Sequence, residues 1–295
     1  MMPIILDNQI IRLNIQRPGE IYQGSRFDWS GQIAQITYQD THTFCTTEIA
    51  DSDCLSGTGR GLYNEFGIDD ALGYETCPVG GQFHKIGVGL LTKTNTDDYQ
   101  FYYPYAIEPA DFEFQHNGLS AVFTAWTSNV RGYAYSLVKQ IELIENSFYI
   151  HYLLTNTGDL LIHTNEYVHN FLAIDNHLLD NNYHLKFPFH IDTSLFGETV
   201  NPDETVIFEP DSMGWKSVHD SPFFFSQINP THQPSCWQLE HEIERVGIRE
   251  IADFEVQRIN VWGTRHVVSP EIFYLIDLLP GQFCKWSRRY EIYSY

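Results

Sequence analysis

Hydrophobic and polar residues alternate with a period of two along much of this chain. The alternation runs through Gln32-Ile33-Ala34-Gln35-Ile36-Thr37-Tyr38, Ala121-Val122-Phe123-Thr124-Ala125-Trp126 and Tyr133 to Leu143. It continues through Ser147 to Asn156, Ile248 to Val256, Val267 to Ile276 and Trp286 to Tyr293. Successive side chains of a strand face opposite sides of a sheet, so this period, with many β-branched and aromatic residues, predicts strands. Turn formers separate them: Ile144-Glu145-Asn146-Ser147, Asn156-Thr157-Gly158-Asp159 and Leu279-Pro280-Gly281-Gln282. No amphipathic helix longer than about three turns is legible. Many strands with short turns and no alternating helices predict an all-β fold, a large antiparallel β-sandwich or barrel. No low-complexity linker, shift of composition or fixed-period repeat divides the chain, so residues 1–295 are expected to form a single domain. Two stretches read as polar loops, the Gly-rich residues 51–82 and the Pro-rich residues 201–236. Long ordered loops on a β scaffold are where sites tend to be built.

Composition narrows the partners. Apolar residues are 43% of the 295, enough for a sizeable core, and the formal charge is −21 (17 Lys+Arg against 38 Asp+Glu). Such a charge repels phosphate backbones and anionic lipid surfaces, so neither nucleic acid nor membrane is an expected partner. There is no run of about 18 apolar residues. The start, Met1-Met2-Pro3-Ile4-Ile5-Leu6-Asp7, lacks the basic and long apolar regions of a signal peptide. The cysteines (Cys45, Cys54, Cys77, Cys236, Cys284) are scattered, with no CxxC and no zinc-site spacing, so a reduced, cytoplasmic protein is expected. Aromatic residues reach 15%, which suits pleated β surfaces and sugar-stacking clefts alike.

Dinucleotide, P-loop, hydrolase-elbow and zincin motifs are absent, and the spacing of the 13 histidines suggests no metal site. The informative stretch is Leu153-Leu154-Thr155-Asn156-Thr157-Gly158 followed by Asn165-Glu166-Tyr167-Val168-His169-Asn170-Phe171-Leu172-Ala173-Ile174-Asp175. A strand ends in an Asn-Thr-Gly turn, and the next presents a His between apolar neighbours. Four further segments follow in order: Tyr22 to Gly31, Phe83-His84-Lys85-Ile86-Gly87-Val88-Gly89, Val267-Val268-Ser269-Pro270-Glu271, and Leu279-Pro280-Gly281-Gln282 with the final strand. Together this set resembles the galactose mutarotase-like superfamily, which includes aldose 1-epimerases.

The resemblance implies a sandwich of two large sheets with a shallow sugar cleft, and a reaction that interconverts the anomers of an aldose by opening its ring. One group removes the proton of the C1 hydroxyl while another protonates the ring oxygen, and their roles reverse on closure. No cofactor or metal is required. The resemblance puts the acid on His169 and the base on Glu271. Lys85 and His84 fall where many members carry a second His; alternation sends them to opposite faces, with Lys85 preferred as a donor to a sugar oxygen. Arg26, read as a strand residue with Phe27 and Trp29, and Glu65 and Arg60 in the Gly-rich stretch are candidate substrate contacts, as is Glu48. Trp262 is a candidate stacking platform or a core residue. A further carboxylate is sought among Asp203, Asp211 and Asp220. The expected partner is a monosaccharide or related small carbohydrate, and the protein a monomer or homodimer. Two other readings stay open: a non-catalytic carbohydrate-binding or sensing protein on the same fold, and a lyase or hydrolase acting on a polysaccharide along an open groove.

Overall fold

A computed structural model describes residues 3–50, 58–228 and 236–295; Cys54 lies outside them. Two ten-stranded sheets pack face to face. The first runs Ile4–Asp7, Ile11–Ile15, Ile33–Tyr38, Gly61–Phe66, Ile162–Phe171, Val267–Leu278, Val256–Thr264, Phe223–Phe225, Thr199–Val200, with His42–Thr43 beside Ile33–Tyr38. The second runs Val206–Phe208, Ser212–Trp215, Tyr183–Lys186, Cys236–His241, Val246–Ala252, Phe283–Ser294, Ser147–Asn156, Tyr135–Ile144, Ser120–Trp126, Asp111–His116. A small sheet of Gln82–Lys85, Gly89–Thr92 and Ile107–Pro109 flanks them. The ladders are antiparallel, as in the hairpin that joins Tyr135–Ile144 to Ser147–Asn156 through Glu145, at φ 53°. Helix among the described residues is limited to two 3₁₀ turns, Ile174–Asn176 and Thr193–Leu195. None is long and apolar enough to cross a membrane. The structure is thus the antiparallel β-sandwich expected from the alternation.

Two readings of the sequence need correction. Within residues 51–82 lies the strand Gly61–Phe66, buried along its whole length and central in the first sheet. Its polar residues read as a loop because each has a buried partner that lies far away in sequence. Within residues 201–236 lie three short strands, Val206–Phe208, Ser212–Trp215 and Phe223–Phe225. Conversely, Tyr22 to Ser30 is not a strand; it is an irregular segment, mostly buried, and Arg26 belongs to it. Tyr22 Oη accepts the backbone N–H groups of Arg26 and Phe27, at 3.3 and 3.1 Å, so a side chain replaces a ladder there.

The Asn-Thr-Gly turn is a side-chain knot. Asn156, fully buried, donates through Nδ2 to the carbonyls of Leu160 and Leu278, both at 2.8 Å, and accepts the N–H of Gly158 at 3.0 Å. A Cβ on Gly158 would sit 2.6 Å from Ala134 N and Gly132 O, so only glycine fits. The knot launches the strand Ile162–Phe171, which is buried on both faces from Thr164 onward.

The ladder between Ile162–Phe171 and Val267–Leu278 holds from Ile162↔Leu278 to Glu166↔Tyr274. It resumes as a single bridge at Leu172↔Val268. Side chains take over in between. Asn170 N–H goes to Ser269 Oγ at 2.9 Å, Asn170 Nδ2 to Pro270 O at 2.6 Å, and Arg288 Nη2 to Ile272 O at 3.0 Å. Pro270, with no N–H to give, lies in this open stretch. Arg288 reaches it from the opposite sheet and also pairs with Glu166, at 2.6 Å, and with Glu250; all three side chains are fully buried. Asn170 Nδ2 and Trp237 Nε1 add bonds to Glu250 at 3.1 and 3.0 Å, and Trp286 Nε1 one to Glu166 at 3.1 Å.

Removing one partner of a buried ion pair strands the others. Arg288→Met should therefore lower the unfolding free energy by about 3–5 kcal/mol. The exposed Arg12→Met should change it by no more than about 0.5 kcal/mol. Urea denaturation of both variants compares the two, and equal small losses would contradict the network's role.

Candidate functional site

On the strand Ile162–Phe171, Glu166 and Asn170 face the opposite sheet, and alternation turns Tyr167, His169 and Phe171 the other way. His169 is 3% exposed and Glu271 4%. They meet across the open ladder, with His169 Nε2 3.3 Å from Glu271 Oε1. Both lie at the floor of a cleft of about 430 Å³ that also exposes Arg26, Tyr167, Trp262 and Asn260. Phe101, Tyr102, Phe224, Glu48 and Ile68 complete its described lining.

The imidazole is held by rings. Phe171 stacks on it at 3.9 Å and 12°, and Trp262 meets it edge-on at 5.3 Å. Its Nδ1 is buried without a hydrogen-bond partner, while Nε2 is the nitrogen turned to Glu271. For Nε2 to give and take a proton, Nδ1 must keep the ring's other one, and nothing there solvates it. Burial, reinforced by the Arg26 charge, accordingly pulls the His169 pKa well below the usual imidazole value of 6.5. The ring is neutral at pH 7.

Glu271 moves the other way. Burial outweighs the pull of Arg26 and a 3.2 Å hydrogen bond from Ser269 Oγ, and pushes its pKa up to about 8. The nearby cations are spent elsewhere. Arg26 Nε donates to Glu65 at 2.8 Å, its Nη1 reaches Glu48 at 3.3 Å, and its Nη2 meets Tyr167 Oη at 3.0 Å. Lys85 Nζ, 1% exposed, is held by Glu65 at 3.1 Å, Gly67 O at 3.0 Å and Tyr99 Oη at 2.9 Å. Burial alone would raise Glu65, but Lys85 and Arg26 outweigh it and hold this carboxyl below the usual range. Two cations thus face two carboxylates, Glu65 and Glu48, and Glu271 is left to keep its proton. The resting pair is a carboxylic acid against a neutral imidazole.

Of the residues singled out in the sequence, His169, Glu271, Arg26, Glu48 and Trp262 come together in this cleft. Glu65 and Lys85 lie directly behind Arg26 and do not line it. His84 does face away from Lys85. It is 1% exposed, meets Thr127 Oγ1 at 3.1 Å and Val130 O at 3.3 Å, and lies outside the cleft. Arg60 bridges to Thr47 and is likewise absent from the lining. Asp203 accepts N–H groups from Asp220 and Ser221, and Asp220 pairs with Arg265. Neither these two nor Asp211 is among the cleft's described residues. Tyr167, Asn260, Phe224, Phe101 and Tyr102 were not singled out. Alternation from His169 would have found Tyr167. Asn260 stands directly opposite Glu271 in the ladder, a pairing the sequence does not show.

No family model and no curated protein matches the chain. Solved structures do. A candidate aldose 1-epimerase from Escherichia coli K12 superposes with TM-score 0.64 at 10% identity, covering 100% of this chain and 99% of that one. A galactose mutarotase related enzyme from Lactobacillus acidophilus gives 0.61 at 12%, covering 99% and 98%. A galactose mutarotase-like protein from Lactobacillus casei gives 0.58 at 13%, covering 99% and 100%. The chain therefore has the galactose mutarotase-like fold.

The raised Glu271 has a thermodynamic signature. Its folded pKa of about 8 exceeds the unfolded value of 4.5, so the native state holds one more proton between those limits. Stability from this group is whole below pH 4.5 and declines as pH rises toward 8. Glu271→Gln should flatten that decline. Unfolding free energies of wild type and variant at pH 5 and 8 test this, and an unchanged slope would place the proton elsewhere.

Proposed function

We propose that this chain, from the premise of its galactose mutarotase-like fold, interconverts the anomers of a free aldose by acid–base ring opening. The observation that carries the reading is the 3.3 Å contact between His169 Nε2 and Glu271 Oε1 on the floor of a single cleft. Anomerisation moves protons at two oxygens, the C1 hydroxyl and the ring oxygen, both bonded to C1. Two groups that serve them must both reach the substituents of that one carbon, which a single cleft holding both allows.

The pair shares one movable proton. The resemblance gives His169 the acid role and Glu271 the base role: imidazolium protonates the ring oxygen while carboxylate takes the hydroxyl proton. The C–O ring bond breaks, and its electron pair takes up the proton from His169. The electrons of the cleaved O–H bond form the aldehyde. That step ends with a neutral imidazole and a protonated carboxyl, which is the protonation of the resting pair. After rotation about C1–C2, closure on the other face runs the transfer backwards. Before opening, the resting pair therefore passes its proton from Glu271 to His169 across the 3.3 Å contact, which gives the imidazolium and carboxylate that the step uses.

The surroundings support an uncharged sugar. Arg26 is the only cation among the described lining residues, and it already pairs with two carboxylates, Glu65 and Glu48, and bonds Tyr167. A phosphosugar would meet Glu48 and Glu271 beside a single guanidinium whose charge is already matched by two carboxylates. Trp262, Phe101, Tyr102 and Phe224 offer ring faces for apolar C–H surfaces, and Asn260, Glu48 and Tyr167 offer polar groups for hydroxyls.

The test is the anomerisation rate of freshly dissolved α-aldopyranoses, followed by polarimetry. The panel should include galactose, glucose, xylose, fucose, rhamnose, arabinose and glucose 6-phosphate. Acceleration of at least one neutral sugar is expected. Glu271→Gln and His169→Ala should each cut that rate by roughly 10²–10⁴-fold. Wild-type rates in either folded variant would remove that residue from the mechanism. No acceleration of any sugar, with saturable binding of one, would favour the non-catalytic binding reading.

A further inference from the structure

A second hollow, of about 210 Å³, lies beside the acid–base cleft of about 430 Å³. Four residues border both: Arg26, Glu48, Phe101 and Tyr102. His169, Glu271 and Trp262 belong to the cleft alone, while Tyr22, Ser25, Ile49, Tyr103 and Pro104 belong to the second hollow alone. Between the two stand Arg26 and Phe101, with the guanidinium 4.5 Å over the ring. Pockets that hold small ligands span roughly 300–1,000 Å³. The second hollow is too small to be such a pocket by itself, but it suits an extension of the cleft.

The wall shared by the two is fixed in place. Tyr103 N–H donates to Gln100 O at 3.0 Å, Tyr105 N–H to Tyr103 O at 2.9 Å, and Gln100 N–H to Tyr105 Oη at 3.2 Å. From outside this turn, Ser25 Oγ donates to Tyr103 O at 3.0 Å and Thr94 Oγ1 to Tyr103 Oη at 3.1 Å. Tyr102 nevertheless stands 71% exposed, with Phe101 edge-on to it at 5.3 Å. A pinned turn that holds a large ring in water beside two hollows offers a face to an apolar C–H surface. Ile49 and Pro104, both exposed, extend that apolar surface. Glu48 supplies the polar side. Among the described residues its carboxylate meets Arg26 at 3.3 Å and the N–H of Gly59 at 2.7 Å. A carboxylate has about four acceptor positions, so hydroxyl donors find room there. Arg26 is again the one lysine or arginine of the described lining. Apolar faces, a hydroxyl acceptor and no unmatched cation fit a second sugar ring.

We propose that the substrate is a reducing disaccharide, with its reducing-end ring over His169 and Glu271 and its second ring in the hollow walled by Ile49, Tyr103 and Pro104. The inference rests on the anomerisation reading above. C1 of the reacting ring must stay a free hemiacetal for the ring to open, so the second unit cannot hang from O1. It hangs from a hydroxyl on another carbon of that ring, and the link passes the residues that border both hollows. The glycosidic bond itself stays intact.

The test compares kcat/KM, by polarimetry, within pairs of sugars that share a reducing end. Maltose, cellobiose and lactose are set against glucose, xylobiose against xylose, and β-1,4-galactobiose against galactose. At least one disaccharide should exceed its monosaccharide by about tenfold or more, the measure of one good ring contact. Ile49→Trp, at a position 56% exposed and outside the cleft lining, narrows the second hollow from its rim. It should bring the disaccharide down to its monosaccharide and leave the monosaccharide within about twofold of wild type, with the fold checked by circular dichroism. Calorimetric titration of Glu271→Gln repeats the comparison as Kd, without turnover. A preference for a disaccharide in Kd, lost on adding Ile49→Trp, upholds the two-ring site even where no sugar is anomerised, and then only the reaction fails. Anomerisation with no disaccharide favoured in kcat/KM or Kd, or a preference that Ile49→Trp leaves intact, overturns the proposal and leaves the reaction standing. Binding of none of these sugars overturns it as well.

Discussion

The site depends on a gap in a β-ladder. Between Glu166↔Tyr274 and Leu172↔Val268 the two central strands share no paired register, and the space between them holds His169 and Glu271. A gap in the middle of a sheet would leave buried backbone groups without partners, at a cost of about 1–3 kcal/mol each. Asn170, Ser269 and Arg288 supply those partners. Arg288 in turn is fixed by Glu166 and Glu250. The ion network in the core and the His169–Glu271 contact in the cleft are therefore front and back of one arrangement, with Ile162–Phe171 between them.

That arrangement also sets the protonation of the pair. Behind the cleft, charges are matched: Arg26 and Lys85 against Glu65 and Glu48. A third carboxylate in the same low-dielectric space has no cation of its own, so it stays protonated. His169, packed against Phe171 and Trp262 with an unpartnered Nδ1, stays neutral for the same reason. Neither value arises from one strong contact. Both follow from a wall of aromatic rings that excludes water and a local charge balance that is already closed.

The fold was legible because its strands alternate. Tyr135–Ile144 buries every second residue, as its sequence suggests. Gly61–Phe66 was not, because a strand buried on both faces loses its alternation; Asn64 and Glu65 read as loop residues until Tyr152, Lys139, Lys85 and Arg26 are seen around them. The placing of His169 and Glu271 in one cleft was anticipated from an ordered set of short motifs, each weak alone. The sequence could not show how close the two would lie. It also could not show that Lys85 turns to Glu65, or that Asn260 sits opposite Glu271, since these depend on register and on contacts between residues far apart in the chain.

In the proposed reaction, one proton shared by His169 and Glu271 drives anomer exchange. The pH dependence of kcat/KM tests it most directly, corrected for the spontaneous reaction, on whichever sugar the protein accelerates. Activity should fall above a pH of about 8, as Glu271 loses the proton, and hold on the acid side to well below pH 6.5, where His169 gains one. A profile that keeps rising past pH 10, or one that loses activity at an ordinary carboxyl value near 4.5 with no basic limb, would contradict it.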